Sequence, residues 1–473
     1  MHLKKAILLV LGIILAMNTQ GQPIVKPLQV ILIVADDLGW KDVGFMGSKY
    51  YNTPNLDKLA EKSVIFTQAY ANASNCAPSR ACLLTGNFAP RHGVYTVGSS
   101  QRGDTKTRKL IPTPNRTDLD TSFFTFAELF QSAGYRTAIM GKWHLGDDPR
   151  QYGFDIHKGG GAAGSPTSYF SPYQLKYLPD GRKGEDLTDR LTTESINFIG
   201  GNRDNPFLLY IPFFAIHTPL QGKPELVKKY KALEATDGQG TNPHYAALVE
   251  NLDANIGRVL RSIDSLKLEN VLLIFTSDNG GIASLSRQWP LRAGKGSYYE
   301  GGIRVPMLIY DQQSKVPAKS IEAPVQLIDL YPTLAERAGL RLPSKLVLDG
   351  KSLLSLMKKG TLPEFVNREL FWHFPIYLEN YQGVRDDSQD PLFRTRPGSA
   401  IRVGKWKLLQ YFEDNVLELY DLENDPGERI NLAKSNLQQT QIMVSAIQRY
   451  QKNLEAPLPT QANPSYDPQF VPE

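Results

Sequence analysis

The stretch Val30–Gly39, VILIVADDLG, runs through six consecutive apolar residues and then turns into two aspartates, and Val271–Gly281, VLLIFTSDNGG, repeats the arrangement with Asp278 and Asn279. A run without polar alternation has no face to give to water, so each reads as a strand covered on both sides, as in a parallel sheet between helices. Helical patterns separate such runs. Thr53 stands as a cap before Pro54, and Thr125 with Glu128 has capping-box spacing ahead of a stop at Gly134 and a strand into Gly141. PFLLYIPFFAIHTPL reads as another buried strand, and Leu248, Leu252, Ile256, Val259, Leu260 and Ile263 mark an amphipathic helix from about Tyr245 to Leu266. The expected fold is α/β, with a large mostly parallel central sheet sandwiched by helices.

From about Val366 the texture changes to short strands with turns between them, ELFWHF, AIRVGKWKLLQYF and LELYDLENDPGE, followed by a helical tail near Gln438–Leu454. We therefore expect a unit over residues 23–365 and a smaller C-terminal antiparallel-sheet subdomain over 366–473. Residues 1–22 place Lys4 and Lys5 before an apolar run, Ala6–Ala16, and then polar residues, which is the pattern of a signal peptide and too short for a membrane span. An exported protein, periplasmic or secreted and without a stable membrane anchor, is the expectation. The net charge of +5 is mild and gives no reason to expect a nucleic-acid partner. The chain has two cysteines, Cys76 and Cys82. On helix geometry their Cα atoms are roughly 9 Å apart, beyond disulfide range.

Polar residues cluster where the apolar runs end: Asp36 and Asp37, Lys142 and His144, His217, Asp278 and Asn279. Ligands bind at that edge of open α/β sheets. Asp36, Asp37, Asp278 and Asn279 offer only oxygen, which suits a hard cation, Ca²⁺ or Mg²⁺. Long loops over Val97–Thr121, Gly159–Ser168 and Asn380–Ser399 are further candidates for function.

Cys76-Ala77-Pro78-Ser79-Arg80, followed by ACLLTG, resembles the signature of the formylglycine-dependent sulfatases, type I members of the alkaline phosphatase superfamily. The blocks VADDLGW, GKWHLG, HTPL, TSDNGG, GKGSYYEGGIRVP and RVGKWKL with LYDLENDPGERINLA extend that resemblance in order over nearly the whole chain. It implies that Cys76 is oxidised to Cα-formylglycine by a formylglycine-generating or anaerobic sulfatase-maturating enzyme, and that its hydrated form attacks sulfur. Asp36, Asp37, Asp278 and Asn279, with position 76, would hold the divalent cation. Lys142 and Lys295 would hold sulfate oxygens, Arg80 would orient residue 76, Asp278 would act as base, His217 would be acid toward the leaving alcohol, and His144 would assist expulsion of sulfate. A sulfated carbohydrate is the expected substrate, with Arg102, Arg287, Trp372 and His373 as substrate-binding candidates and Trp289, Arg292, Arg394 and Arg396 in or beside the same loops. Two other readings stay open: a phosphoester or phosphonate hydrolase of the same superfamily, and a non-catalytic glycan-binding protein.

Overall fold

The computed structural model describes residues 26–237, 242–286, 288–381 and 386–471. The proposed signal peptide, residues 1–22, and Arg287 lie outside these. Among the described residues no helix is long and apolar enough to cross a membrane.

The first body is a nine-stranded sheet built from β1 (Gln29–Ala35), β2 (Val64–Tyr70), β3 (Arg136–Gly141), β4 (Ile156–Gly159), β5 (Phe207–Pro212), β6 (Val271–Ser277), β7 (Arg304–Asp311), β8 (Lys319–Ile321) and β9 (Val325–Gln326). Their order is β4-β3-β5-β1-β6-β7-β2-β8, with β9 also on β2. The pairs β4/β3, β3/β5, β5/β1 and β1/β6 are parallel, whereas β7 runs antiparallel to both β6 and β2.

The apolar run of β1 shows why both faces are covered. Val30, Leu32 and Val34 enter one core cluster, together with Phe126, Phe130 and Tyr210. Ile31, Ile33 and Ala35 point the other way, into a second cluster with Leu248, Leu252 and Ile256 of the helix Pro243–Ser265. Side chains alternate in direction along a strand, so an unbroken apolar run serves two layers at once. The capping box at Thr125 and Glu128 forms as the sequence suggests, with both reciprocal hydrogen bonds present. Thr53 does not cap by its side chain; its Oγ1 accepts from the Gly44 amide at 2.7 Å and donates to Asp57.

A second, four-stranded antiparallel sheet has the order β10-β13-β14-β15, from β10 (Glu369–Phe374), β13 (Gly398–Val403), β14 (Trp406–Tyr411) and β15 (Val416–Asp421), with the helix Leu437–Asn453 packed on it. A small hairpin pairs β11 (Leu378–Glu379) with β12 (Phe393–Thr395). The chain end then returns over the loop at 105–111. Asn463 takes the Lys109 carbonyl with its amide and the Thr105 and Arg108 carbonyls with its side chain, at 2.7–2.8 Å, and the Lys106 ammonium lies 4.7 Å from the centre of the Phe470 ring.

A buried charge cluster joins the two bodies. Lys407 of β14 is 3.0 Å from Glu300 and 2.8 Å from Glu428, all three without solvent exposure. Tyr70 of β2 donates to Glu300 at 2.7 Å, and Arg402 of β13 reaches the same hydroxyl. Burial raises both carboxyls, but Lys407, Arg304 and Arg402 outweigh it at Glu300 and hold that group ionised. At Glu428 burial prevails over Lys407, and Glu300 adds to it, so Glu428 is pushed up to about 7. Replacing Lys407 by Met strands the buried carboxyls, and the cost expected is about 3–5 kcal/mol of unfolding free energy. Glu428→Gln keeps the Lys407–Glu300 pair and should cost well under that; urea denaturation of both variants at pH 7.5 measures the difference.

Candidate active site

Ala35 of β1 lies opposite Ser277 of β6, so the residues that follow, Asp36-Asp37 and Asp278-Asn279, emerge side by side. Backbone hydrogen bonds carry the ladder past the strand ends: Asp36 N to Ala215 O at 2.9 Å, Asp278 N to Ala35 O at 3.1 Å and Lys142 N to Pro212 O at 2.7 Å. Four adjacent strands thereby deliver the aspartates, Lys142 and the segment leading to His217 to one edge. Asp37 and His144 take the left-handed conformation, φ 64° and 65°, which turns each side chain away from the path of its strand.

Above this edge stands the helix Cys76–Thr85, buried at all ten positions and closed by Gly86 at φ 67°. Cys76 is its first residue. Asn75 makes no side-chain cap; its amide instead donates to Thr96 Oγ1 at 3.0 Å, so the first N–H groups of the helix, those of Cys76 and Ala77 ahead of Pro78, take no cap from it. The Cys76 sulfur is 3.4 Å from Asp36 Oδ1, 3.9 Å from Asp37 Oδ1 and 3.3 Å from Lys295 Nζ. Both cysteines are free, as the spacing argument requires.

Cations answer the carboxylates one by one. Lys142 Nζ donates to Asp36 at 2.6 Å, Lys295 Nζ lies 2.8 Å from the Asp37 carboxylate, and Arg80 binds Asp278 through Nε and Nη2 at 2.9 and 2.8 Å. Arg80 also donates to the Lys142 carbonyl at 3.2 Å. His217 presents Nε2 at 3.7 Å from Asp37, with Nδ1 2.8 Å from the Thr218 carbonyl.

These surroundings set the protonation states. Burial raises the Cys76 thiol, yet Lys142 and Lys295 outweigh it and bring it down to about 6. Burial, with Asp36 adding to it, lifts Asp278 to about 6 against the pull of Arg80. His144 is held down at about 2, by burial first and then by Lys142 and Arg80. Burial and Lys295 oppose the charged form of His217, but Asp37 and Asp36 outweigh them and raise it. The two histidines are therefore held in opposite states, His144 neutral and His217 disposed to carry a proton.

Asp36, Asp37, Cys76 and His217 each offer a ligand atom within 4.8 Å of the others. Asn279 donates to Asp37 at 2.9 Å through its amide nitrogen, while its Oδ1 is buried and has no hydrogen-bond partner. An orphaned carbonyl oxygen beside two buried carboxylates fits a hard cation.

The structure also shows what spacing did not. The glycine-rich stretch after β4 packs on His144: a Cβ at Gly164 would come within 2.5 Å of the ring. Asp42 accepts from Gly39 N, Tyr245 OH and Ser286 Oγ at 2.5–2.9 Å and so fixes the turn that follows Asp37. An aspartate three residues after Gly39 was the available sequence signal.

Of the substrate-binding candidates, Arg102 is on the surface and pairs with Glu379 at 2.8 Å. Trp372 and His373 are corrections. Both belong to β10, which the helix Leu437–Asn453 covers on one side and the first body on the other. Trp372 is 1% exposed and gives its indole N–H to the Ala71 carbonyl at 2.8 Å, against the Tyr70 ring. His373 is buried between Ser399 Oγ and the Pro457 carbonyl, at 2.8 and 3.0 Å. Arg292 is spent on the Asp387 and Glu428 carbonyls, and Arg396 pairs with Glu413 and Asp390. Trp289 is 75% exposed, with Lys41 beside it.

A family model described as Sulfatase matches residues 29–340, and one described as N-sulphoglucosamine sulphohydrolase, C-terminal, matches residues 294–455. The chain is 34% identical to a protein of Formosa agariphila named Sulfatase, over 91% of this chain and 88% of that one. It is 28% identical to the N-acetylgalactosamine-6-sulfatase of Homo sapiens, over 94% and 88%. Among solved structures, Ps i-CgsB in complex with k-i-k-neocarrahexaose matches with a TM-score of 0.75 at 30% identity, covering 92% of this chain and 95% of that one. The phosphonate monoester hydrolase of Agrobacterium radiobacter shares the fold, with a TM-score of 0.64 at 21% identity over 90% and 95%.

The buried position of His373 gives a pH prediction. Burial lowers its pKa from 6.5 to about 4. The unfolded chain then binds the proton that the folded one refuses, so this contribution is intact above about pH 6.5 and is lost as the pH falls toward 4, by up to about 3 kcal/mol. Urea unfolding at pH 7.5 and 4.5 should show a smaller difference between the two pH values in His373→Gln than in the parent.

Proposed function

The chain belongs to the sulfatase family and is a sulfuric ester hydrolase, and from that premise we propose that it releases inorganic sulfate from a sulfated oligo- or polysaccharide. The observation that supports the chemistry is the cluster at one helix start: Cys76 with Lys295 and His217 close to it, Lys142 and Arg80 on the carboxylates beside it, and His144 and His217 held in opposite protonation states. Support for the glycan comes from the relatives: an N-acetylgalactosamine-6-sulfatase, and a structure solved with a neocarrahexaose.

Cys76 is the residue that a maturating enzyme would convert to formylglycine, and Asp36, Asp37, Asp278 and Asn279, together with residue 76, would hold Ca²⁺ or Mg²⁺. When in place, the oxidised side chain supplies an oxygen nucleophile and the cation supplies Lewis acidity. The rest is done by the chain itself. Lys142 and Lys295 bring two ammonium groups to the place of the sulfate oxygens, and the open N–H groups of the helix Cys76–Thr85 add a favourable dipole. Asp278, raised to about 6 and steadied by Arg80, would accept a proton from the nucleophile at position 76. His217, raised above its ordinary value, gives a proton to the leaving alcohol. His144 is neutral, so one ring nitrogen is an acceptor that would serve the step that frees sulfate. We further propose that residues 1–22 direct export and that the two bodies correspond to residues 23–365 and 366–473.

The test is free sulfate measured from a panel of sulfated oligosaccharides, polysaccharides and a simple aryl sulfate, with matched phosphate esters, using protein made alongside its maturation system. Release from one glycan, absent in Cys76→Ala, supports the proposal. Faster turnover of the phosphate esters would favour the phosphohydrolase reading, and no turnover at all the binding-protein reading. Lys142→Ala should lower kcat by about 10²–10³-fold, the usual loss for one group that stabilises transition-state charge. Chelation with EDTA should lower both activity and melting temperature, and graded addition of Ca²⁺ or Mg²⁺ identifies the ion by which one restores both.

A further inference from the structure

The hairpin β11/β12 belongs to the second body, yet one of its side chains ends beneath the first body's active-site lysine. Arg394, the middle residue of β12, is 6% exposed. Its Nη1 donates to the Lys295 carbonyl at 3.2 Å and its Nε to the Glu379 carbonyl at 2.8 Å. The guanidinium carbon lies over the Tyr381 ring, 3.9 Å from its centre. Gly296 makes the approach possible: its φ is +95°, and a Cβ there would come within 2.8 Å of Arg394 Nη1. The main chain at Lys295 is otherwise tied through its amide to Gly281 O at 2.8 Å and the next amide to Ser74 O at 2.7 Å, while its ammonium is held by Asp37 and Cys76.

We infer that Arg394 is a positioning residue for Lys295. A lysine carries four rotatable bonds, so an ammonium kept between Asp37 and the Cys76 sulfur depends on a fixed backbone origin. Arg394 provides it from across the seam between the two bodies. The planar guanidinium serves two carbonyls in one geometry, which a single ammonium does not reproduce. With two donors on carbonyls and its guanidinium carbon over Tyr381, Arg394 acts on the reaction through Lys295 and not by holding substrate. This rests on the sulfatase reading for its effect on rate, and a displacement of about 1 Å at a reacting group costs about 10²-fold.

The experiment is a double-mutant cycle on the matured, full-length protein, with sulfate release as the readout, paired with hydrogen exchange of the peptide spanning Lys295 and Gly296. Arg394→Gln should lower kcat/KM by about 10²-fold in the parent. In a Lys295→Ala background the same change should alter it by less than about twofold, because the two substitutions remove one interaction. Equal losses in both backgrounds would mean a general structural role and overturn the inference. Arg394→Lys keeps the charge but cannot serve both carbonyls; it should fold with a cooperative melt and lose rate nearly as fully as Arg394→Gln, and a rate equal to the parent's would overturn the two-carbonyl geometry. The exchange measurement does not depend on turnover: faster exchange at Lys295–Gly296 in Arg394→Gln supports the anchor, and unchanged exchange refutes it. Absence of sulfate release from the parent would instead count against the functional reading, with the exchange result still deciding the anchor.

Discussion

Everything at the active edge depends on the cost of keeping carboxylates ionised away from water. Asp36, Asp37 and Asp278 are at most 1% exposed and close enough to raise one another. A buried carboxylate persists as an anion only with cations and hydrogen bonds around it. The architecture supplies them from three places: Lys142 from the end of β3, Lys295 from the loop before β7, and Arg80 from within the helix above. No short segment of sequence could do this, because cations adjacent in the chain could not reach three separate carboxylates with good geometry. The parallel order of β3, β5, β1 and β6 is what turns distant residues into neighbours.

Once that balance is set, chemically identical residues acquire different work. His144 is kept neutral by burial and by Lys142, Arg80 and Lys295 around it; at His217, Asp37 and Asp36 outweigh burial and it leans the other way. Environments that push two titratable groups of one type apart are how one pocket offers both an acid and a base. The same logic operates at the seam, where two buried glutamates share Lys407 and only Glu300 is held firmly ionised. In both places burial and the charges around the group decide the proton, and residue type does not.

Much of this was legible in the chain. The unbroken apolar runs announced strands covered on both faces, and the polar residues at their ends are the ones that meet around Cys76. The limits were equally physical. ELFWHF was read beside a substrate loop, but both faces of β10 are packed, so Trp372 and His373 are interior groups with their polar atoms satisfied by main chain and a serine. A short strand carrying aromatics looks the same whether it borders a pocket or closes a core. Arg394 was visible only as a loop arginine, since its meaning lies in a carbonyl 99 positions away. Thr53, well placed to cap, was taken by Gly44 and Asp57 instead, a local competition that spacing does not display.

The spread of the ion pairs along the chain also decides how much of the chain the pocket needs. Asp37 and Lys295 are 258 positions apart, and the arginine beneath Lys295 follows later still. While the chain is being made, the first strand with its two aspartates emerges long before the lysine that will neutralise one of them. Until then burial of those carboxylates is opposed by their hydration, and β1 has nothing beside it on the β6 side. The pocket's charge balance is therefore a property of nearly the whole chain: a segment ending before residue 295 would carry the two aspartates without the lysine, and one ending before residue 394 would leave the lysine loop without its arginine.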